Sequence, residues 1–401
     1  MDKTFFTNNR EQLLRSVGSG ALIVINAYQE MQRGNDAAFL FEQEANFWYL
    51  TGIEAPDWRL IIDGKRHRSY AVSPDMSEMK EIFDGSLSPE DALRISGVNE
   101  VISRDAADSL LLQLKREHPL VYTVNEAAYL KQFVGFAINP AQRELSEYLK
   151  HRFSDVRSCG KQLATLRAIK QPIEIKAMQK AIDITIKGFQ SMRQQLDSYK
   201  YEYESEAKLS YEFRRVGADG HAYSPIVGAG HNACTLHYVA NDTKLIKKSF
   251  LLIDAGAKYS NYSADITRTY AIGQPSKRMI AIHQAVKDIQ TSTIALCRPG
   301  TKINDLQKHA EARTEQALSE LGLLTGSMTM QDYFPHAIGH GLGIDVHDSF
   351  GSYEELQPGM VVTVEPGIYI AEESLGVRIE DDILITETSH RNMSKALSTD
   401  L

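Results

Sequence analysis

Asp254, Asp265, His340, Glu365 and Glu380 are four carboxylates and one imidazole, each set in a short apolar or glycine-flanked segment. A carboxylate carried into an apolar surround must be paired, hydrogen-bonded or neutralised. Taken singly, each acid has an ordinary explanation as a turn, a cap or an ion-pair partner, and a lone histidine is more often a core residue than a ligand. Taken together they have too few cations, because Arg268 and Arg378 are the nearby candidates for all four acids. Carboxylates with a single imidazole suit Mn²⁺, Co²⁺, Fe²⁺ or Zn²⁺ rather than a soft metal. The five residues read as ligands for a pair of divalent ions.

The acids fall in two pairs. Leu251-Leu252-Ile253-Asp254-Ala255-Gly256 reads as a buried strand and Ser263-Ala264-Asp265-Ile266-Thr267-Arg268-Thr269-Tyr270 as the next, with the polar turn Lys258-Tyr259-Ser260-Asn261 between them. If that turn closes the hairpin, Asp254 and Asp265 face one another across the ladder with Cβ atoms roughly 4.5–5.5 Å apart. Like charges at that distance leave at least one carboxyl protonated unless a cation intervenes. Met360-Val361-Val362-Thr363-Val364-Glu365, stopped by Pro366-Gly367, and Val377-Arg378-Ile379-Glu380-Asp381-Asp382-Ile383-Leu384-Ile385 repeat the arrangement. Between the pairs, His336, His340 and His347 lie in a glycine-flanked run, Pro335 to Asp348, which predicts a backbone folded tightly around something.

Two domains are needed to position these residues. Residues 1–157 read as an α/β domain, with strands at Ala21–Ile25, Phe47–Leu50, Arg59–Ile62 and Val121–Val124 and a helix over Ala106–Glu117. Residues 158–401 read as an α+β domain that opens, after Gln171-Pro172, on a long amphipathic helix marked by Ile175, Met178, Ile182, Ile186, Phe189, Met192 and Leu196. A second helix near Glu204–Val216 and the Asp254/Asp265 strands follow. The order then recurs, with helices near Ser276–Cys297 and Lys302–Leu321 before the Glu365/Glu380 strands, which predicts a pseudo-twofold internal duplication with the metals at its axis.

The 401 residues, 43% hydrophobic and 24% charged, describe an ordinary globular protein, and a net charge of −8 argues against a nucleic-acid-binding surface. Neither a signal peptide nor a membrane-spanning run is evident, so a cytoplasmic location is expected. Cys159, Cys234 and Cys297 are odd in number and widely spaced, indicating neither a disulfide framework nor a thiolate metal site. The sequence has no Walker loop, dinucleotide fingerprint, HExxH helix or GxSxG elbow.

At the five residues the chain resembles the pita-bread metallopeptidases, in their Xaa-Pro aminopeptidase (aminopeptidase P) and prolidase branch. The resemblance rests on Leu252–Gly256, Ala264–Thr269, Gly339–Asp348, Thr363–Tyr369 and Arg378–Asp382, and extends to Ile226–Gly230 and Leu236-His237-Tyr238. Arg33–Asp36 and Glu42–Gly52 are similar to the aminopeptidase P amino-terminal domain, so nearly the whole chain is covered. The resemblance implies a pita-bread catalytic domain with two divalent ions, Mn²⁺ first and Co²⁺, Zn²⁺ or Fe²⁺ as alternatives. Asp254 would hold one ion, Asp265 and Glu380 both, and His340 and Glu365 the other, with a bridging hydroxide as nucleophile. Glu365 would shuttle the proton, His237 and His347 would hold the substrate carbonyl, Arg378 and Tyr369 would orient Glu380 and the water, and His336 would shape the pocket. Arg167 and Asp36 are further carry-overs, with a surface ion pair an equal reading of Arg167.

The activity so implied is hydrolysis of the first peptide bond of peptides with proline at the second position, by a homodimer or homotetramer. Prolidase action on Xaa-Pro dipeptides is the nearest alternative, and an inactive peptide-binding scaffold a remote one, since no ligand is missing.

Overall fold

The computed structural model describes residues 1–126, 135 and 137–401. The chain forms two compact units, Met1–Leu166 and Arg167–Leu401.

The first unit is built on a six-stranded sheet. Its strands are β1 (Leu22–Asn26), β2 (Arg59–Asp63), β3 (Arg68–Val72), β4 (Glu100–Ile102), β5 (Leu120–Thr123) and β6 (Asp155–Ser158), in the order β4-β3-β2-β1-β5-β6. β1 and β2 run antiparallel in the middle, and four of five residues in β1 and all five in β2 are buried, with residues 22–25 and 60–62 as their apolar runs. Leu22, Val24, Ile61 and Val121 pack on one face against Leu111, Leu114, Leu145 and Leu149 from covering helices.

Phe47–Leu50 is helical rather than extended, within the helix Ala45–Thr51. The Glu44 side chain accepts from the Phe47 N–H at its start, and Gly52, at φ +68°, ends it in the left-handed region. A short apolar run buried all round has no period to reveal, so strand and helix read alike.

The second unit repeats its order of elements. The helices Pro172–Arg193 and Glu202–Arg215 lead into β7 (Gly220–His221), β8 (Ile226–Ala229), β9 (Phe250–Ala255), β10 (Ala257–Tyr259), β11 (Tyr262–Ser263) and β12 (Ile266–Ala271). The helices Lys277–Ile294 and Ile303–Glu320 lead into β13 (Val361–Val364), β14 (Gly367–Ile370), β15 (Leu375–Arg378), β16 (Asp381–Ile385) and β17 (His390–Asn392). Each half supplies a three-stranded sheet, β8-β9-β12 and β13-β16-β17, beside smaller ladders. Met178, Ile182, Phe189 and Met192 are buried at the predicted spacing along the first helix.

The register corrects the predicted facing of Asp254 and Asp265. Tyr259 pairs with Tyr262 across a two-residue turn, and Asp254 lies opposite Thr267. Ser260 and Asn261 both adopt positive φ, 50° and 64°, the backbone that a tight two-residue hairpin requires. Asp265 falls in the break between β11 and β12. Gly256 permits that break: a Cβ there would sit 1.7 Å from the Ala264 carbonyl oxygen. In the other half the strands also divide, β13 pairing with β16 and β14 with β15, so Glu365 and Glu380 stand in the gaps between two ladders.

Candidate metal centre

Breaks in ladders are where a strand's side chain can turn from its own sheet into shared space, and this unit has three acids at such breaks. Carboxylate oxygens of Asp265 and Glu380 and one nitrogen of His340 lie within 4.8 Å of one another. His340 Nε2 stands 3.5 Å from Asp265 Oδ2 and 3.6 Å from Glu365 Oε1. Its Nδ1 lies 2.9 Å from the Gly341 carbonyl oxygen, which can only accept, so Nδ1 carries a proton and Nε2 is the nitrogen that faces the carboxylates. Loss of the Nε2 proton leaves the tautomer a metal-binding histidine needs.

Asp254 joins the group through Tyr223, whose hydroxyl contacts Asp254 Oδ1 and stands 2.5 Å from Asp265 Oδ1. One phenolic proton cannot serve two carboxylate oxygens, so one of the pair needs a proton or a cation. Arg378 crosses the site: Nη2 donates to Asp254 Oδ2 at 2.6 Å, Nη1 to the Tyr369 hydroxyl at 2.9 Å and Nε to Thr267 Oγ1 at 3.2 Å. The Thr267 hydroxyl in turn donates to Glu380 Oε2 at 2.7 Å. Arg268 reaches none of the ligand carboxylates in its hydrogen bonds: it donates to Asp381, to the backbone carbonyls of Glu380 and Thr267, and to those of Leu397 and Ser398. Asp382 accepts from the Asp265 N–H through Oδ2, while its buried Oδ1 has no partner among the described residues.

The titration behaviour follows from this crowding. Burial first, then the neighbouring acids, push Asp265 and Glu380 up, and burial raises Glu365 to about 7. Burial alone would lower His340, but Asp265 and Glu365 outweigh it and hold the imidazole at about 9. Without a cation the cluster therefore compensates itself with protons. Four carboxylates, one imidazole and a shortage of positive charge fit divalent ions, which replace those protons on binding.

The histidines singled out in the sequence surround this group. The Tyr369 hydroxyl accepts from Arg378 and so donates to His336 Nε2, 2.9 Å away, while His336 Nδ1 faces the Ala337 carbonyl at 2.8 Å. Both His336 nitrogens are occupied, and burial, then Arg378, lowers its pKa to about 4. The His347 ring centroid is 4.2 Å from that of His340, and burial, then His340 and His237, brings it to about 4 as well. His237 is exposed, just after the short helix Gly230–Cys234, close enough for its charge to act on His336 and His347. Buried Glu202 ties down that loop, accepting from the Ala229 N–H at 2.6 Å and from the Tyr238 hydroxyl and the Thr243 N–H at 2.9 Å. Asp36 is exposed in the first unit.

Tyr223, Thr267 and Asp382 are the residues that sequence reasoning missed. Thr267 had a signal, since alternation along a strand puts it on the same side as Asp265. Tyr223 had none, because it sits in a polar loop whose path only the fold decides.

Ladder-end carboxylates around one imidazole, in a duplicated α+β unit that follows an α/β unit along the chain, suit a metal centre, and the class they belong to is that of the metallopeptidases. The sequence model of metallopeptidase family M24 matches residues 176–387, and that of the aminopeptidase P N-terminal domain matches residues 6–122. The chain belongs to family M24, whose members bind divalent metal. It is 31% identical to the Xaa-Pro aminopeptidase of Haemophilus influenzae, over 100% of this chain and 96% of that one. To the Xaa-Pro aminopeptidase of Escherichia coli it is 30% identical over 98% and 94%. The structure of aminopeptidase P from E. coli with the inhibitor Pro-Leu superposes with a TM-score of 0.87 at 29% identity, covering 100% of this chain and 96% of that one. No helix among the described residues is long and apolar enough to cross a membrane.

Proposed function

We propose that this chain hydrolyses the first peptide bond of peptides whose second residue is proline. The observation that carries the reading is His340, whose Nδ1 is fixed by Gly341 so that its Nε2 enters a group of acids. Likeness to Xaa-Pro aminopeptidases along almost the full chain supplies the specificity.

In this reading Asp254, Asp265, His340, Glu365 and Glu380 hold two divalent ions, with Mn²⁺ first in preference. When bound, such ions polarise the scissile carbonyl and make an attacking water more acidic. The protein groups do the rest. Glu365 takes the water's proton and returns it to the proline nitrogen, which as a tertiary amide must be protonated to leave. His347 and His237, at the rim, donate to the carbonyl oxygen as negative charge develops on it. Arg378 holds Asp254 in place, and through Tyr369 it fixes the tautomer of His336, which shapes the pocket wall. A cytoplasmic location and a dimeric or tetrameric assembly belong to the same reading.

Offering the protein an Xaa-Pro-Pro tripeptide beside an Xaa-Pro dipeptide tests it. Release of the first residue from the tripeptide is expected, lost on chelation and in Asp265→Ala, and restored by Mn²⁺ in the wild type alone. Preference for the dipeptide would make the enzyme a prolidase, and tight peptide binding without turnover a scaffold.

A further inference from the structure

His347 sits on a loop that a single buried arginine grips from both sides. Asp345-Val346-His347-Asp348 closes the run that begins at His340: the Asp348 N–H donates to the Gly341 carbonyl at 2.8 Å, and the Gly343 N–H to the Asp345 carbonyl at 3.0 Å. Those backbone bonds fix the loop's base and leave the side-chain direction at its tip open. Arg167 closes that freedom. Its Nη2 lies 2.5 Å from Asp345 Oδ2 and 3.1 Å from Asp348 Oδ1, so one nitrogen joins the residues on either side of the Val346-His347 pair.

The two contacts differ in what they can do. Asp348 is buried and has further partners, Lys170 Nζ at 3.4 Å and the Ser349 N–H at 2.9 Å, and Gly343 has no Cβ to obstruct its carboxylate. It is anchored with or without Arg167. The Asp345 side chain is 55% exposed and has Arg167 as its ion-pair partner. The Arg167 side chain is itself only 5% exposed, so the link runs from an interior group to an exposed rim residue. A charge-assisted hydrogen bond to an otherwise loose carboxylate restricts the backbone that carries it. That backbone carries His347, whose ring lies tilted against that of His340 with the centroids 4.2 Å apart.

We infer that Arg167 is a positioning residue for His347: by tying Asp345 to Asp348 it holds the imidazole over the metal centre, in reach of the substrate carbonyl. The inference rests on the reading of His347 as the group that meets that carbonyl. Arg167 acts on the site through Asp345 and Asp348.

The experiment is a double-mutant cycle on the holoenzyme, with kcat, KM, metal content and thermal midpoint measured for Arg167→Gln, Asp345→Asn, His347→Ala and the pairs. Asp345→Asn is the safeguard against misfolding, because it leaves the Arg167–Asp348 contact intact. Expected are losses of about tenfold in kcat for Arg167→Gln and Asp345→Asn, with metal content unchanged, and less than a twofold further loss when either is added to His347→Ala. Arg167→Lys, which restores the charge, is expected to recover part of the loss. Equal losses with and without His347 would overturn the link while leaving the role of His347 standing, as would normal turnover in Asp345→Asn. Normal turnover in His347→Ala would overturn the reading of His347, and the inference with it.

Discussion

Replacing Thr267 with valine removes one hydroxyl and little else. The side chain is fully buried, and valine fills the same volume, so no cavity opens. What goes is the 2.7 Å bond to Glu380 Oε2 and the acceptor for Arg378 Nε. A hydrogen bond to a charged acceptor contributes about 1.5–3 kcal/mol. At about 1.4 kcal/mol per factor of ten, that is roughly ten- to a hundredfold in whatever equilibrium depends on Glu380. Outer partners of metal-ligating carboxylates typically alter metal affinity or activity by about that much. Because Glu380 is read as a ligand, the loss is expected in metal affinity. Activity titrated against free Mn²⁺ in a metal buffer should show the midpoint move to higher concentration by that factor, with turnover recovering at saturation. Thr267→Ser, which keeps the hydroxyl, should stay near the wild type. An unchanged midpoint in Thr267→Val would refute the assignment of Glu380 as a ligand held by Thr267. An equal shift in the serine variant would show that packing, not the hydrogen bond, was lost.

His237→Ala should lower turnover by roughly tens-fold or more with metal content intact, measured by steady-state kinetics beside elemental analysis; unchanged kinetics would remove it from the site. His283 is 4% exposed and held at about 4, chiefly by burial, so its neutral form belongs to the folded state. Its contribution is present above pH 6.5 and is lost as the pH falls towards 4, a change on the order of 3 kcal/mol. His283→Leu should therefore flatten denaturant-measured stability across that window relative to the wild type, and parallel curves would contradict this. Gly256→Ala would drive a Cβ into the Ala264 carbonyl, so a large drop in thermal midpoint with loss of bound metal is expected, and an unperturbed melting curve would refute it.

Much of this architecture is legible in the sequence because local signals agree with burial. Ser276 caps the helix Lys277–Ile294 through the Met279 N–H, and the apolar period from Met178 to Met192 gives the long helix its buried face. The acids of the centre stand out for a different reason, as charges where strands should be apolar. What is not legible depends on contacts set by the whole fold. The polar turn at Lys258–Asn261 shows a hairpin but not its register, because the left-handed conformations of Ser260 and Asn261 decide which pair closes it. Phe47–Leu50 gives no period to read. Tyr223 reaches Asp254 and Asp265 from a loop with no motif of its own. The Arg378 contact with Asp254 joins residues far apart in the chain.

That long-range pairing bears on how the protein is made. Asp254 and Asp265 leave the ribosome long before Arg378, Glu380 and the carbonyls of Leu397 and Ser398 that Arg268 clasps. Until then Asp254 lacks its guanidinium partner, which disfavours early burial of the first acidic ladder. The catalytic unit is thus committed to late, non-local closure, with slow folding and a long exposure of apolar strand edges in the nascent chain. Metal present at the moment of closure would act as a folding ligand as well as a catalytic one.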